Sequence, residues 1–476
     1  MGVVLFAVAL AVAAWAGLGV VLLLADPVPG RDTIGRVELL CLTVLYGLGV
    51  MTLLSFAVGV LTDVNTRAPV TAMCALVGAT GVWRRRELLR ASLRSGPLGV
   101  GALASAIAIG ATSAVVWWFA RHQPLGWDGT VIWEFKAQMA FDNGGRIPPE
   151  YYRDPTRLWS HPSYPPFMPL TEAWVYGWWR GPHQQHIKVL FPVFFVVAAG
   201  MLHAGCARLG GARRWAAALA PVLLLSVPMV VFGEGGASSG YVDFPLAACF
   251  LAAVVHTLHH ARTGSAQSLR FAGTLAALLP WMKQEGLVLF GTVVLMLLVA
   301  TIARRPSAVQ WRPIGRAAAW AVVPGVVVLG TWRLYLRHID AELRDEYLPF
   351  TFDTLRTNAD RTSTIAGSLW DELQMWDRWS VLWPMMLLAT VLWVVRTRGV
   401  ARVLLPAMVV LPIALDSFVY FFSGWDPVSR HIDASLPRLL LQVAPVAVLV
   451  IALTAPRFAR PVAVTERAEL DETLHL

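Results

Sequence analysis

Apolar segments of membrane length recur along the whole chain, and they limit its fold more than any other feature. Residues 3–24 and 39–61 open the series, and 187–207, 242–258, 287–302, 317–336, 403–422 and 436–453 continue it. A helix needs about 20 apolar residues to cross the hydrocarbon core of a bilayer. Of the 476 residues, 57% are hydrophobic and only 14% charged, against roughly a quarter charged in soluble domains. The sequence predicts an all-α polytopic membrane protein with about twelve transmembrane helices, or thirteen if the shorter apolar segment 70–83 also crosses. That segment reads either as a tilted helix or as one lying at the interface, and the orientation of the N-terminus depends on it. Residues 1–24 lack a basic leader and a cleavage site, so they read as a retained helix rather than a signal peptide.

The formal charge of +9 could suggest a nucleic-acid partner. The arginines, however, are scattered through short links between spans, as in a positive-inside topology, and no nucleic acid is expected. Arg84, Arg85, Arg86, Arg90 and Arg94 form the densest basic run, read as a cytoplasmic amphipathic segment. The span from 97 to 120 then runs outward and delivers residues 121–186 to the outer face. Arg208, Arg213, Arg214, Arg262, Arg304, Arg305, Arg396, Arg398 and Arg402 fall on the inner side of the same scheme. The mixed loop 338–378 falls on the outer side. In it Ile365, Leu369, Leu373 and Trp376 recur at helical spacing, as in a helix lying flat at the interface.

This gives five regions: an N-terminal hairpin with its basic segment (1–96), a membrane core with the outer loop (97–337), a second outer loop (338–378), C-terminal helices (379–454) and a cytoplasmic tail (455–476). Cys41, Cys74, Cys206 and Cys249 lie in or beside spans and form no C-x-x-C pair, which argues for packing rather than disulfides or zinc.

The loop 121–186 is long, polar and aromatic, too rich in Trp, Tyr and Phe to be disordered. A loop of that length between spans points to function. It holds Gly126-Trp127-Asp128-Gly129 and then Trp133 and Lys136, with His161-Pro162-Ser163-Tyr164-Pro165-Pro166 further on. Only three of the 39 basic residues are lysines, Lys136, Lys188 and Lys283. Asp128 alone reads first as a helix cap, and Asp243, before Phe244-Pro245, reads the same way. Lys136 alone reads as an interfacial snorkel. Lys283 and Glu285 interrupt a hydrophobic hairpin, where charge is costly and points to function. Asp426, Arg430, His431 and Arg438 either anchor the last helix or bind phosphate.

Two other patterns are weaker. Gly236-Ala237-Ser238-Ser239-Gly240 fits a nucleophile elbow, which requires a strand and a soluble α/β sheet. A hydrolase built on Ser238 is therefore disfavoured and the stretch reads as a flexible link. His256, His259 and His260 have metal-compatible spacing but read as cations at a helix C-terminus.

Taken together, the first-loop Asp, the H-P-x-Y-P-P stretch, Tyr241-Val242-Asp243-Phe244-Pro245-Leu246-Ala247 and Lys283-Gln284-Glu285-Gly286-Leu287 resemble the GT-C membrane glycosyltransferases. The resemblance is to bacterial relatives of the dolichyl-phosphate-mannose–protein mannosyltransferases and of the lipid A aminoarabinose transferase, and spans residues 97–336. Asp128 is followed by Gly129 instead of the family's common second acid, and the spans before residue 97 have no counterpart in the minimal family pattern. The resemblance implies a GT-C-like fold with an outer active-site loop carrying short interfacial helices, in a bacterial cytoplasmic membrane with the site facing outward. It implies transfer of a sugar from a polyprenyl-phosphate donor to an acceptor hydroxyl with inversion, the acceptor being a glycan, lipid or protein. Asp128 would be the general base. Lys136, Lys283, Arg430 and Arg438 would hold the donor phosphate. Trp127, Trp133, His161, Tyr164, Asp243, Glu285 and His431 would line the substrate site. No cofactor is expected, with a divalent metal left open, and membrane lipids are the other expected partners. The competing class is a lipid or solute transporter, which would place functional charges near the membrane midplane in inverted repeats.

Overall fold

The computed structural model describes residues 2–28, 32–93, 100–210, 214–304, 311–342 and 347–455. Arg94, the start of the span expected from residue 97, Arg213, Arg305 and the tail from 456 lie outside the described residues. The described part is helical, and its only β pairing is an isolated bridge between Tyr347 and Ser423.

Three helices come first: α1 (Gly2–Leu24), α2 (Arg36–Leu61) and α3 (Arg67–Leu93). Helix α4 (Val100–His122) leads into the loop, whose own helices include α5 (Phe135–Asp142) and α6 (Phe167–Trp179). Then follow α7 (Phe191–Gly210), α8 (Arg214–Leu225), α9 (Asp243–Thr263), α10 (Ala266–Met282), α11 (Gly286–Ala303) and α12 (Trp311–His338). The chain closes with α13 (Arg361–Leu373), α14 (Leu382–Arg396), α15 (Ala401–Val419) and α16 (Val428–Thr454). Among the described residues nine helices are long and apolar enough to cross a membrane, and α1, α2, α4, α7, α9, α11, α12, α15 and α16 supply them. The protein is therefore an all-α polytopic membrane protein. Helix α9 is its axis: 94% of its most apolar stretch is buried, against 17% for α4 and α12 at the periphery.

Side chains at the helix ends show which ends lie together. The Trp179 indole donates to the Gly2 carbonyl (2.8 Å), the Arg67 guanidinium to the Gly177 carbonyl, and Arg146 to the Thr62 carbonyl (3.3 Å). The start of α1, the end of α2 and the start of α3 therefore share one end of the bundle with the loop. At the other end the arginines of the short links hold neighbouring helix C-termini, whose last carbonyls lack partners within the helix. Arg36 donates to the Leu93 carbonyl, Arg270 to that of Leu24, Arg262 to Leu209 (2.7 Å), Arg304 to Ala261 (2.9 Å) and Arg396 to Thr454 (3.4 Å).

Several boundaries differ from the sequence reading. Residues 70–83 are the middle of the 27-residue α3. It runs the same distance as α1 and α2, continues through Arg84 and Arg86 and bends at Arg85, where φ is −129°. Backbone contact takes the place of side-chain hydrophobicity here. A Cβ on Gly19 would stand 2.3 Å from the Val77 carbonyl oxygen, and one on Gly81 would stand 2.3 Å from Gly19 Cα. Close approach at small residues is what holds helices together where lipid competes for apolar contact.

The half-span read at 271–282 is the 17-residue α10, extended back to a Ser265 cap that accepts from the Ser268 amide (3.0 Å). The last span starts at Val428, so Arg430 and His431 lie inside α16 rather than in a loop. Residues 233–240 form a largely buried turn rather than an open link. The Ser238 hydroxyl donates to the Val231 carbonyl (2.5 Å), with Gln123 Oε1 at 2.9 Å.

The second-loop helix forms as α13, but Trp376 begins a separate turn, Trp376–Trp379. Glu372 faces inward, accepting from Arg378 (2.7 Å) and Trp379 (2.8 Å). The three histidines are not solvent-facing cations. His256 is enclosed in α9, 3.6 Å from Glu38, His259 bonds Ser268 (2.8 Å), and His260 bonds the Ser265 carbonyl (2.8 Å).

Candidate active site

Asp128 is not a helix cap. It precedes a wide π-helical stretch, Gly129–Glu134, and its side chain makes no capping hydrogen bond there. Such stretches recur at functional sites. Two contacts instead fix the loop against the turn before α9: the Gly126 amide donates to the Ser239 carbonyl (2.8 Å), and the Asp128 amide to the Tyr241 hydroxyl (3.2 Å). Gly126 is needed because a Cβ there would lie 2.3 Å from the Tyr241 ring. Held this way, the Asp128 carboxylate accepts from the Arg438 guanidinium, across 310 residues of sequence. Arg438 lies over the Tyr241 ring, 5.8 Å from its centroid. Burial, reinforced by Asp128, pushes the Tyr241 phenol up to about 12, so it keeps its proton at neutral pH.

Arg438 and Asp243 come together around Gly235, whose φ is +93° and where a Cβ would stand 3.1 Å from Asp243 Cβ and 3.4 Å from Arg438 Cγ. Asp243 is not a cap either. It is enclosed, and its Oδ1 accepts from Lys283 Nζ (2.8 Å) and Gln442 Nε2 (2.9 Å), while Oδ2 has no hydrogen-bond partner among the described residues. Lys283 also meets Glu285 Oε1 at 3.0 Å. Burial works against the Lys283 charge, yet Asp243 and Glu285 outweigh it and hold the ammonium above its ordinary pKa. The lysine ends α10 in extended backbone, at φ −156° and ψ 157°, just before α11 begins.

The H-P-S-Y-P-P stretch docks on this same break. The Ser163 carbonyl accepts from Gln284 (3.3 Å) and from the Trp332 indole (3.2 Å). That contact brings Tyr164 beside Lys283, whose Nζ lies 6.0 Å from the ring centroid. Lys136 Nζ is 5.8 Å from the same ring and 5.1 Å from the ring of Trp133. Tyr164 is stacked between Trp133 and His161, at 5.5 and 4.8 Å.

Lys136 is fully enclosed and donates to the His161 carbonyl (3.2 Å); no carboxylate pairs with it among the described residues. Burial lowers it to about 7, against the pull of Asp128. Burial and the neighbouring Lys136 lower His161 to about 4, so it is neutral at pH 7. His161 takes a left-handed conformation, φ 52°, which turns its carbonyl toward the lysine.

Asp128, Trp133, Lys136, His161, Tyr164, Asp243, Lys283, Glu285 and Arg438 thus form one connected site at the loop end of the bundle. Trp127 does not join it, being 75% exposed. Arg430 is exposed on the first turn of α16, with no side-chain ion pair or hydrogen bond to a described residue. His431 lies one layer out, bonded to Ser423 (2.8 Å) and stacked on Trp425 (5.2 Å).

Three further side chains, not expected from the sequence, complete the site. Gln442 orients Asp243 from α16. Tyr241 orients both Asp128 and Arg438. Asp416, buried in α15, lies within electrostatic reach of Glu285 and Lys283. An ionisable residue inside the apolar stretch 403–422 was the available signal for Asp416. Gln442 carried no comparable signal.

Glu134 supports the site from behind, accepting from Gln138 (2.5 Å), Tyr176 (3.0 Å) and Gln184 (2.7 Å). Beside it Glu172 is fully enclosed, and neither carboxyl oxygen has a hydrogen-bond partner among the described residues; burial, then the Glu134 charge, raises it well above the carboxylate range. A cleft of about 390 Å³, walled by Met229, Phe232, Glu234, Asp433 and Pro437, opens onto Arg438. No three His, Cys, Asp or Glu side chains gather as a metal-ligand group among the described residues.

The arrangement sets Lys136, Lys283 and Arg438 over three aromatic rings, those of Trp133, Tyr164 and Tyr241, with Asp243 and Glu285 on Lys283 and the Asp128 carboxylate at the edge on Arg438. It suits an anion held by side chains next to a carboxylate able to take a proton. No family model, curated protein or solved structure matches the chain.

Proposed function

We propose that the protein is a membrane glycosyltransferase that moves a sugar from a polyprenyl-phosphate donor to an acceptor hydroxyl at the loop end of the bundle. The observation that carries this reading is the placing of Lys136 and Lys283 on one tyrosine ring, at 5.8 and 6.0 Å, with Arg438 bound to Asp128 nearby. Charge-assisted donors of this kind suit a phosphate leaving group. In the proposed step, the acceptor oxygen gives its proton to Asp128 and attacks the anomeric carbon. The bond from that carbon to the phosphate oxygen breaks, and its electron pair leaves on the phosphate, facing Lys283, Arg438 and Lys136. One direct displacement inverts the anomeric configuration.

The Asp128–Arg438 pair has a role in this sequence. Arg438 binds the Asp128 carboxylate before the donor arrives, and the donor phosphate then competes for Arg438 and frees the carboxylate for the acceptor. The cleft at Arg438 gives the acceptor a path from the aqueous side. An N-terminus on the same face as the loop is supported by the Trp179–Gly2 contact, and it fits a reading of α3 as the extra crossing beyond the twelve expected. Transport is less well supported: Asp243 begins α9 and Lys283 ends α10, whereas a carrier would hold its charges near the midplane.

The test is incubation of purified protein with lipid-linked sugars extracted from a bacterial envelope and with the acceptor-bearing remainder of that envelope, scored by mass spectrometry for released polyprenyl monophosphate. Wild type should release it, and Asp128→Asn should fall by roughly 10²–10⁴-fold, the range for a lost general base, at an unchanged melting temperature. Lipid moved across vesicles with no carbon–oxygen bond cleaved rejects the proposal in favour of transport.

A further inference from the structure

At the end of the bundle away from Asp128, α8, α14 and α16 leave an open groove. Its inner half, about 400 Å³, is walled by Leu219, Leu223, Leu388 and Ile451. A second hollow of about 400 Å³ continues it, sharing Leu392 and Thr454, and ends at Arg262 and Arg396. The two hollows are one channel, apolar along its length and cationic at its mouth. Along α14 the walls run from Met385 to Arg396, about 16 Å at 1.5 Å per residue. That is close to one leaflet of a hydrocarbon core about 30 Å thick. Arg262 stands about 28 Å along α9 from Asp243 at the same rise, so the groove is separate from the candidate active site.

The two arginines are placed but not neutralised. Arg262 donates to the Leu209 carbonyl (2.7 Å) and Arg396 to the Thr454 carbonyl (3.4 Å), so each is held at a helix C-terminus. Neither meets a carboxylate among the described residues. Trp393, which also lines the mouth, is of the type enriched where headgroups meet acyl chains. Apolar walls one leaflet deep call for an acyl chain, and two unneutralised guanidinium groups call for an anionic headgroup. Basic pockets between helices at a membrane face take anionic lipid headgroups.

We infer that this groove is a binding site for one anionic glycerophospholipid of the bilayer, its acyl chain between α8, α14 and α16 and its phosphate on Arg262 and Arg396. The inference is independent of the transferase reading.

The experiment uses the full chain, delipidated in detergent and offered phosphatidylglycerol or phosphatidylcholine with the same acyl chains, with retained lipid counted by native mass spectrometry. Wild type should keep phosphatidylglycerol in preference. Arg262→Gln with Arg396→Gln should weaken that retention about 25-fold, at about fivefold for each basic residue near an anionic headgroup. Arg402→Gln, on the same face but outside the groove, should change nothing. Leu392→Trp, filling the shared middle of the groove, should lower retention of both lipids. Equal retention of the two lipids by wild type overturns the inference without any variant. So does a loss in Arg402→Gln as large as in the double variant. Displacement of the lipid by millimolar inorganic phosphate, or a dimer that excludes lipid, also overturns it.

Discussion

Replacing Lys283 by Met separates what the lysine does for the fold from what it does for a substrate. The fold side follows from the geometry. Asp243 is fully enclosed, and removing the ammonium 2.8 Å away leaves its charge with one side-chain donor, Gln442 at 2.9 Å. Breaking a buried pair from one side typically costs about 3–5 kcal/mol, because the orphaned charge stays behind. The remedy is therefore on Asp243: adding Asp243→Asn removes that charge and leaves an amide that still accepts from Gln442. The double variant should regain about 2–3 kcal/mol, the upper part of the range for directly contacting residues.

Phosphate binding should not recover with it. One charged hydrogen bond contributes about 1.5–3 kcal/mol, so affinity for undecaprenyl monophosphate should drop roughly 10- to 150-fold in the double variant. Melting curves in detergent give the first quantity, and titration of the lipid followed by tryptophan fluorescence gives the second. A double variant that is stable and binds the phospholipid like wild type would show that Lys283 serves only the fold. A single variant as stable as wild type would refute the reasoning about the buried pair. Lys283→Arg should restore binding only in part, since the two cations differ in shape and hydration.

Other predictions concern separate parts of the molecule. Lys136, lowered to about 7 by burial, is charged below that pH and neutral above it, so undecaprenyl monophosphate affinity should fall as pH rises from 6 to 8.5. Lys136→Met should bind weakly and flatly across the range. The same lysine protonates near 10.4 when unfolded, so it makes stability rise with pH between about 7 and 10, and Lys136→Met should lose that slope in pH-dependent melting. Gly17→Leu should lower the melting temperature sharply, because even a Cβ would stand 1.9 Å from the Thr43 carbonyl oxygen between α1 and α2; an unchanged melting temperature would contradict that packing. For sidedness, the four native cysteines are buried, so introduced ones report cleanly. Asp142→Cys should react with an impermeant maleimide from outside and Arg398→Cys only after permeabilisation, and the reverse pattern refutes the orientation.

The helices and the isolated charges were legible in the sequence for the same reason: a lipid-facing segment tolerates few exceptions, so each exception stands out. Lys283 and Glu285 are found that way, whereas Lys136 stands out as one of only three lysines. What was hidden depends on distance in three dimensions. The Asp128–Arg438 contact joins residues 310 apart, and no local pattern announces it. Local readings of Asp128 and Asp243 as caps failed because the backbone there already begins in helical or turn geometry, leaving no amide for the carboxylate to cap. Trp127 and Trp133 look alike in sequence, yet the turn of the π-helical stretch puts one in solvent and the other in the core. Residues 70–83 stay open between a tilted helix and an interfacial one because the contacts of α3 run through glycine backbone, which a hydropathy reading scores as weak.

The first three helices also give the loop its footing. Helix α6 hangs from them by three side chains: Trp174 donates to the Ala9 carbonyl (3.0 Å), Trp179 to that of Gly2, and Arg67 to that of Gly177. From α6, Tyr176 reaches Glu134, two residues before Lys136. The N-terminal helices are thus a foundation beneath the lysine: a chain trimmed before residue 97 would retain every proposed catalytic side chain and lose the wall against which they are aimed.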